Sequence, residues 1–264
     1  MDEAEVLFSE ILNCDRASLY LKQNLRLNAL EALKISEALK RRIRGEPIQY
    51  ILGKTEFMGL EFKVTPDVLI PRPETEVLVE KVIELVTKAQ RHKTTSLKIL
   101  DLGTGSGCIA VSLAKLISNV RIDAIDISEK ALKIAKENAK LNNVKVNFIQ
   151  ADLFQAYSLR LKVYSLIVSN PPYVAASEID GLQVEVRREP RIALSAGEDG
   201  LDFYRRIIID SSRYLKKGGY LFLEMGFAQK NKIKNIFQKS KKFQIIEVVR
   251  DYNNIDRVII AKLK

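Results

Sequence analysis

Gly103, Gly105 and Gly107 stand at alternate positions between a short apolar run, Lys98, Ile99 and Leu100, and a helix-like run at residues 108–117. A strand that turns through glycines into a helix commits this part of the chain to an α/β layer. Glycine admits positive φ and lets backbone approach a ligand closely, while the following helix N-terminus leaves N–H groups free. The segment Asp101, Leu102, Gly103, Thr104, Gly105, Ser106, Gly107 is therefore suited to a nucleotide-type cofactor. Gly105, Gly107 and Ala110 also satisfy the G-x-G-x-x-A dinucleotide pattern, with Asp126 close to the spacing of a ribose carboxylate, so a nicotinamide enzyme is one reading at this point. No Gly-Lys-Ser/Thr follows these glycines, which excludes a P-loop.

Residues 120–125 read as a second strand ending in Asp126, with a helix starting near Ser128 and Glu129. Residues 144–149 read as a third strand, followed by Asp152 and Phe154. Asp126 suits the two hydroxyls of a ribose, Asp152 an adenine amino group, and Phe154 the face of the adenine ring. Taken singly, each aspartate is equally a helix N-cap or a loop residue. Their order narrows the choice. The glycine turn, Asp126, Asp152 and Asn170 follow four successive strands, and a doubly wound sheet brings the ends of such strands to one edge.

Asn170, Pro171, Pro172 and Tyr173 follow the apolar run at residues 164–169, the fourth of these strands. Consecutive prolines fix φ and remove two N–H donors, leaving carbonyls that present acceptors. The Asn170 carboxamide adds an oxygen and Tyr173 an aromatic face, a combination that suits a planar NH2 group on a flat π system. The same letters also describe a Pro-rich turn with a capping Asn.

The glycine turn combined with this tetrapeptide resembles the S-adenosylmethionine-dependent amino-methyltransferases. Two further segments narrow the resemblance to the protein-glutamine N5-methyltransferases, the PrmC/HemK family. They are Gly45, Glu46, Pro47, Ile48, Gln49, Tyr50, Ile51, Leu52 and Gly53 with Phe57, and residues 69–76, Leu-Ile-Pro-Arg-Pro-Glu-Thr-Glu. Glu189 with Pro190, residues 197–201, and Glu224 with Gly226 and Gln229 also fit, so the resemblance spans nearly the whole chain. It implies a Rossmann-like class I methyltransferase sheet and S-adenosyl-L-methionine as cofactor. It also implies class I peptide chain release factors as partners, methylated on the glutamine of their Gly-Gly-Gln loop. In such an enzyme Asp101, Gly103, Thr104, Gly105, Ser106 and Gly107 would surround the methionine part of the cofactor. Asp126 would hold the ribose, and Asp152 and Phe154 would border the adenine. Asn170, Pro171, Pro172 and Tyr173 would hold the substrate glutamine, Asn170 also facing the cofactor. A dehydrogenase has no use for that tetrapeptide.

The rival reading is a nucleic-acid amino-methyltransferase acting on adenine N6 or guanine N2, since those bases carry the same kind of NH2 group. The balance of 43 Lys and Arg over 33 Asp and Glu, a net charge of +10, would suit it. Against it stand the N-terminal segment and the lack of a separate DNA-reading domain or aromatic-rich platform, so no stable nucleic-acid partner is expected. A cofactor-binding protein without catalysis would leave the acceptor tetrapeptide unexplained. Other chemistries lack their parts. Cys14 and Cys108 are the only cysteines and lie far apart, offering neither a disulfide framework nor a metal site. His92, the sole histidine, sits in the polar run at residues 90–96 and reads as a surface loop residue, which leaves a serine or cysteine hydrolase without its base.

The chain divides near residue 73, giving an N-terminal helical substrate-recognition unit over 1–73 with a β-hairpin connection, and a methyltransferase unit over 74–264. Residues 3–12 and 27–44 read as helices, the second with Leu30, Leu33, Leu39 and Ile43 near one face, ended by Gly45, Glu46 and Pro47. Residues 50–52 and 60–64 read as two short strands. From Pro73 a helix carrying Val79, Val82, Ile83 and Val86 is expected, with proline in its first turn. Residues 220–223 follow Gly218 and Gly219 as a fifth strand, and residues 243–249 and 257–262 read as a closing pair. Arg187, Arg188 and Arg191 are expected in a mobile loop at the mouth of the site, without catalytic roles. No run is long enough to span a bilayer, and the acidic start Met1, Asp2, Glu3, Ala4, Glu5 lacks the basic region of a signal, so no membrane partner and a cytoplasmic location are expected.

Overall fold

A computed structural model describes residues 3–21, 26–90, 97–156, 159 and 163–264. His92 lies outside the described residues. The N-terminal part consists of helices α1 (Glu3–Ile11), α2 (Arg16–Leu21), α3 (Ala29–Ile43) and α4 (Ile48–Leu52). Asn28 caps α3 through a reciprocal box: its side chain accepts from the Glu31 N–H at 2.9 Å, and the Glu31 carboxylate accepts from the Asn28 N–H at 2.9 Å. This is why the helix starts after residue 28. Ala38 packs with Leu7 and Ile48 into a small core, and Ile35, one turn earlier, is also buried. Leu30, Leu33, Leu39 and Ile43 are all exposed. Residues 50–52 are helical rather than a strand: Pro47 leads into α4, and Gly53, at φ 75°, ends it. The hairpin lies just beyond, as β1 (Lys54–Phe57) and β2 (Leu60–Lys63), joined through Met58 and Gly59, both at positive φ as a two-residue primed turn requires.

Helix α5 (Pro73–Gln90) then enters a seven-stranded sheet built from β3 (Leu97–Leu102), α6 (Cys108–Leu116), β4 (Val120–Asp126), α7 (Glu129–Leu141), β5 (Asn147–Gln150), β6 (Tyr164–Ser169), α8 (Arg191–Leu194), α9 (Asp202–Ser211), β7 (Leu215–Glu224), α10 (Lys230–Ser240), β8 (Phe243–Arg250) and β9 (Asp256–Leu263). The strand order is β5-β4-β3-β6-β7-β9-β8, parallel from β5 to β7 and antiparallel at β9 and β8. Alternate residues of each strand serve opposite faces. Ile99, Leu166 and Val168 join Val79, Val82 and Val86 of α5 and Ile109 and Leu113 of α6 on one side. Leu100, Ile167 and Leu221 join Tyr204 and Ile207 of α9 and Ile233 and Phe237 of α10 on the other. The architecture is therefore the expected α/β doubly wound sheet, preceded by small helices and a hairpin.

Two strand boundaries differ from the sequence reading. Val144 belongs to the end of α7, where Asn143 at φ 55° closes a Schellman motif: the Asn143 N–H donates to the Lys140 carbonyl and the Val144 N–H to the Ala139 carbonyl. β5 consequently starts at Asn147. β7 begins before its glycines, because Leu215 pairs with Tyr164 and the register restarts at Tyr220 opposite Leu166, with Gly218 at φ 73° absorbing the shift. Among the described residues no helix is long and apolar enough to cross a membrane.

Candidate active site

The order of strands reverses between β3 and β6: from β3 the chain builds outward through β4 and β5, and from β6 in the other direction through β7. Ligand crevices form outside the carboxyl ends of strands at such a switch point. Glycine turn, Asp126, Asp152 and Asn170 all leave the sheet at that edge.

The glycine turn is held by its neighbours. The Gly103 and Thr104 N–H groups donate to the Ile125 carbonyl at 2.9 and 2.8 Å, and the Gly107 N–H to the Thr104 carbonyl at 2.8 Å. Gly103, Gly105 and Gly107 have φ of 71°, 54° and 83°. A Cβ at Gly103 or Gly105 would meet no atom within 4 Å, while one at Gly107 would meet Ala135 of α7 at 3.0 Å. The first two glycines thus leave room for a ligand, and the third lets two helices approach. Thr104 Oγ1 donates to Asp101 Oδ2 at 2.7 Å. Asp101 is fully buried, its Oδ1 finds no hydrogen-bond partner among the described residues, and burial pushes its carboxyl up to about 7 against the Thr104 bond. Ser106 is buried, and its carbonyl accepts from Asn138 Nδ2 at 2.8 Å. Asn138 also exchanges two bonds with the backbone of Lys63, tying turn, α7 and hairpin together.

Asp126 accepts from the Gly105 N–H at 2.8 Å and the Ser128 N–H at 2.9 Å, and burial still raises its pKa. With Gly103, Gly105, Ile127, Leu153, Asn170, Pro172 and Phe203 it lines a cleft whose empty space, open solvent included, is about 710 Å³. Asp152 lines the same cleft, but one of its oxygens is paired with Arg206 at 2.7 Å and the other accepts from Gln155 at 3.1 Å. Phe154 is placed differently from expectation. A one-turn 3₁₀ helix over Leu153–Gln155 carries its ring into the core, stacked on Tyr214 at 4.7 Å between centroids, and leaves Leu153 toward the cleft. The apolar walls Ile127, Leu153 and Phe203 were not found from the sequence, since no motif distinguishes them from core residues.

Asn170 also lines a second, open cleft with Arg72, Pro171, Tyr173, Val186, Glu224 and Arg257. With Leu69 and Ala193 it forms the wall the two clefts share. Its Nδ2 donates to Thr75 Oγ1 at 3.1 Å. Tyr173 is set by later segments of the chain: Gln229 Nε2 donates to the Tyr173 carbonyl at 2.9 Å, and its Oε1 accepts from the Gly226 N–H at 3.1 Å. A Cβ at Gly200, whose φ is 73°, would stand 2.5 Å from the Tyr173 carbonyl, and one at Gly226 would stand 2.9 Å from the Tyr173 ring. Burial raises the Tyr173 hydroxyl to about 12, so it stays neutral.

The basic segment at the mouth is anchored. Val186–Arg188 forms a 3₁₀ turn and Arg191 opens α8. Arg188 donates to the Arg44 carbonyl at 2.9 Å, and Glu185 pairs with Arg42 at 2.8 Å. Glu189, 5% exposed, accepts from Arg72 and from the Ile70 N–H. The N-terminal part is therefore tied to the segment that supplies Val186 to the second cleft, while among the described residues α1–α4 contribute no lining residue themselves.

The sequence profile of the PrmC N-terminal domain matches residues 1–53, and that of the methyltransferase small domain matches residues 75–187. The chain is 44% identical over 262 residues to the release factor glutamine methyltransferase of Thermodesulfovibrio yellowstonii, covering 98% of this chain and 91% of that protein. It is 41% identical over 262 residues to the protein of the same name from Geobacter sulfurreducens, covering 99% and 89%. Among solved structures it is similar to the hMettl16 catalytic domain in complex with MAT2A 3′UTR hairpin 1, with a TM-score of 0.62, 20% identity and coverage of 97% of this chain and 91% of that one. A methyltransferase from Pyrococcus furiosus gives a TM-score of 0.55 at 18% identity, covering 86% and 98%. These two likenesses are of fold. The identity to the first pair, extending over nearly the full length of each, places this chain in the release factor glutamine methyltransferase family.

Proposed function

We propose that this protein transfers a methyl group from S-adenosyl-L-methionine to the side-chain amide nitrogen, N5, of the glutamine in the Gly-Gly-Gln loop of class I peptide chain release factors. The observation that carries this reading is the position of Asn170 on the wall between two clefts, one lined by the glycine turn and Asp126, the other by Pro171 and Tyr173. The first cleft fits the cofactor. The positive-φ glycines Gly103 and Gly105 leave open space where side chains would stand, and each Asp126 oxygen, though already bonded to a backbone N–H, keeps a lone pair for a ribose hydroxyl. Asp101, Thr104, Ser106 and Gly107 shape the turn from behind, and Asp152 and Leu153 border its far end.

Bound there, S-adenosyl-L-methionine would supply an electrophilic methyl group on sulfur. An amide nitrogen is a poor nucleophile because its lone pair is delocalised into the carbonyl, so alignment matters more than a strong base. Asn170 Oδ1 and the Pro171 carbonyl accept the two N–H bonds of the glutamine, aim its nitrogen in line and favour the positive charge that develops there. Pro172 and Tyr173 hold these acceptors in place. The methylated nitrogen then loses a proton to water. Residues 1–73 serve as the release-factor recognition unit and 74–264 as the catalytic unit.

Methyl transfer from labelled cofactor to a purified class I release factor tests this, beside a factor whose Gly-Gly-Gln glutamine is replaced and beside tRNA, rRNA and DNA. Label on the unaltered factor alone is expected. Label on nucleic acid, or on both forms of the factor alike, would overturn the reading.

A further inference from the structure

Ser169 of β6 pairs in parallel register with Leu223 of β7, so Asn170 and Glu224 occupy corresponding positions at the sheet edge. The first turn of α5 lies across them. Thr75, 2% exposed, accepts from Asn170 Nδ2 at 3.1 Å, and its hydroxyl stands beside the Glu224 carboxylate, favouring that group's charged form against the burial that raises its pKa to about 7. Glu224 is 1% exposed, lines the same cleft as Asn170, and its Oε2 has no partner among the described residues. The chemistry sketched above gives this carboxylate no task, and a buried acid without one calls for a physical account.

A hydroxyl has one proton. With that proton turned toward the neighbouring carboxylate, the Thr75 oxygen accepts from Asn170 Nδ2, the arrangement the structure holds. The amide of Asn170 is then forced to turn its NH2 toward Thr75 and its oxygen the other way, toward the space the two clefts share. Without the relay the carboxamide could present its NH2 there instead, and an NH2 group repels the donor it is meant to receive. We propose that Thr75 is a positioning residue that fixes the orientation of the Asn170 carboxamide so that its oxygen faces the substrate amide. This rests on the functional reading above, and it assigns a residue outside the Asn-Pro-Pro-Tyr segment to the same step.

The relay makes Thr75 act through Asn170, which a double-mutant cycle can read. The chains to compare are wild type, Thr75→Val, Thr75→Ser, Asn170→Ala and Thr75→Val with Asn170→Ala, with Thr75→Ala as a second hydroxyl-free variant. Each is assayed for cofactor affinity and for kcat and KM on a class I release factor. Removing the hydroxyl is expected to lower kcat by about tenfold or more, while cofactor affinity stays within about twofold of wild type. Thr75→Ser, which keeps the hydroxyl, is expected to restore most of the lost rate. In the Asn170→Ala background Thr75→Val is expected to change kcat no further. Unchanged kcat in both hydroxyl-free variants would overturn the proposal, as would an equal loss from Thr75→Val in both backgrounds. A wild-type chain that leaves the glutamine unmethylated would instead remove the functional reading, and the proposal with it.

Discussion

The Gly105 N–H donates to Asp126 Oδ2 at 2.8 Å, so the carboxylate at the end of β4 holds the glycine turn that follows β3. Its other oxygen accepts from the Ser128 N–H, the N-cap residue of α7. Asp126→Ala would release both donors and remove the acceptors proposed for the ribose. Cofactor affinity is expected to fall by at least about tenfold, since bonds to charged acceptors are worth about 1.5–3 kcal/mol each. Calorimetric titration measures it, and wild-type affinity would contradict the assignment.

Asn138 is fully buried on α7 and bridges the Ser106 carbonyl to both backbone groups of Lys63. Asn138→Leu keeps volume but strands these groups. A loss of about 2–4 kcal/mol in urea unfolding is expected, with weakened cofactor binding, because a stranded buried polar group costs about 1–3 kcal/mol.

Asn170→Ala removes the proposed acceptor while leaving Gly103, Gly105 and Asp126 in place. Turnover is expected to drop by about 100-fold or more, the scale seen when one positioned charge-stabilising group is lost, with a much smaller change in cofactor affinity. Equal losses in both would assign Asn170 to cofactor binding or folding.

Asp101 titrates near 7 because burial disfavours its charged form, with Asp126 adding repulsion, against the opposing Thr104 hydrogen bond. A folded pKa above the unfolded one means a stabilising contribution that is full below about pH 4 and is lost as pH rises toward about 7. Asp101→Asn removes that loss. Its melting temperature without cofactor is therefore expected to gain on wild type between pH 5 and pH 7.5, by several degrees at about 2–4 °C per kcal/mol. A constant difference across that range would contradict it.

The site was legible where strand order governs. Gly103, Asp126, Asp152 and Asn170 lie at the ends of four strands, and parallel topology alone carries them to one edge. Local signals misled where tertiary packing decides. Residues 50–52 look like a strand in isolation, yet Tyr50 is buried and its hydroxyl donates to the Val68 carbonyl at 2.5 Å, a contact 18 residues away. Leu30, Leu33, Leu39 and Ile43 are exposed on α3, while Ile35 is buried and Ala38 packs into the small N-terminal core.

Phe154 read as a ring partner because it follows Asp152, and the one-turn helix that rotates it onto Tyr214 has no distinctive letters. The Thr75 to Asn170 bond spans 95 residues. Thr75 stood in a recognised segment, yet nothing in that segment states what its hydroxyl touches.

The most direct measurement is tandem mass spectrometry of the loop peptide from a class I release factor after reaction with this protein and S-adenosyl-L-methionine. The account predicts one added methyl, placed by fragmentation on the side-chain amide of the Gly-Gly-Gln glutamine and absent when Asn170→Ala replaces the wild-type chain. A methyl on any other residue of the factor, or an unmodified loop under conditions where the protein methylates nucleic acid, would contradict it.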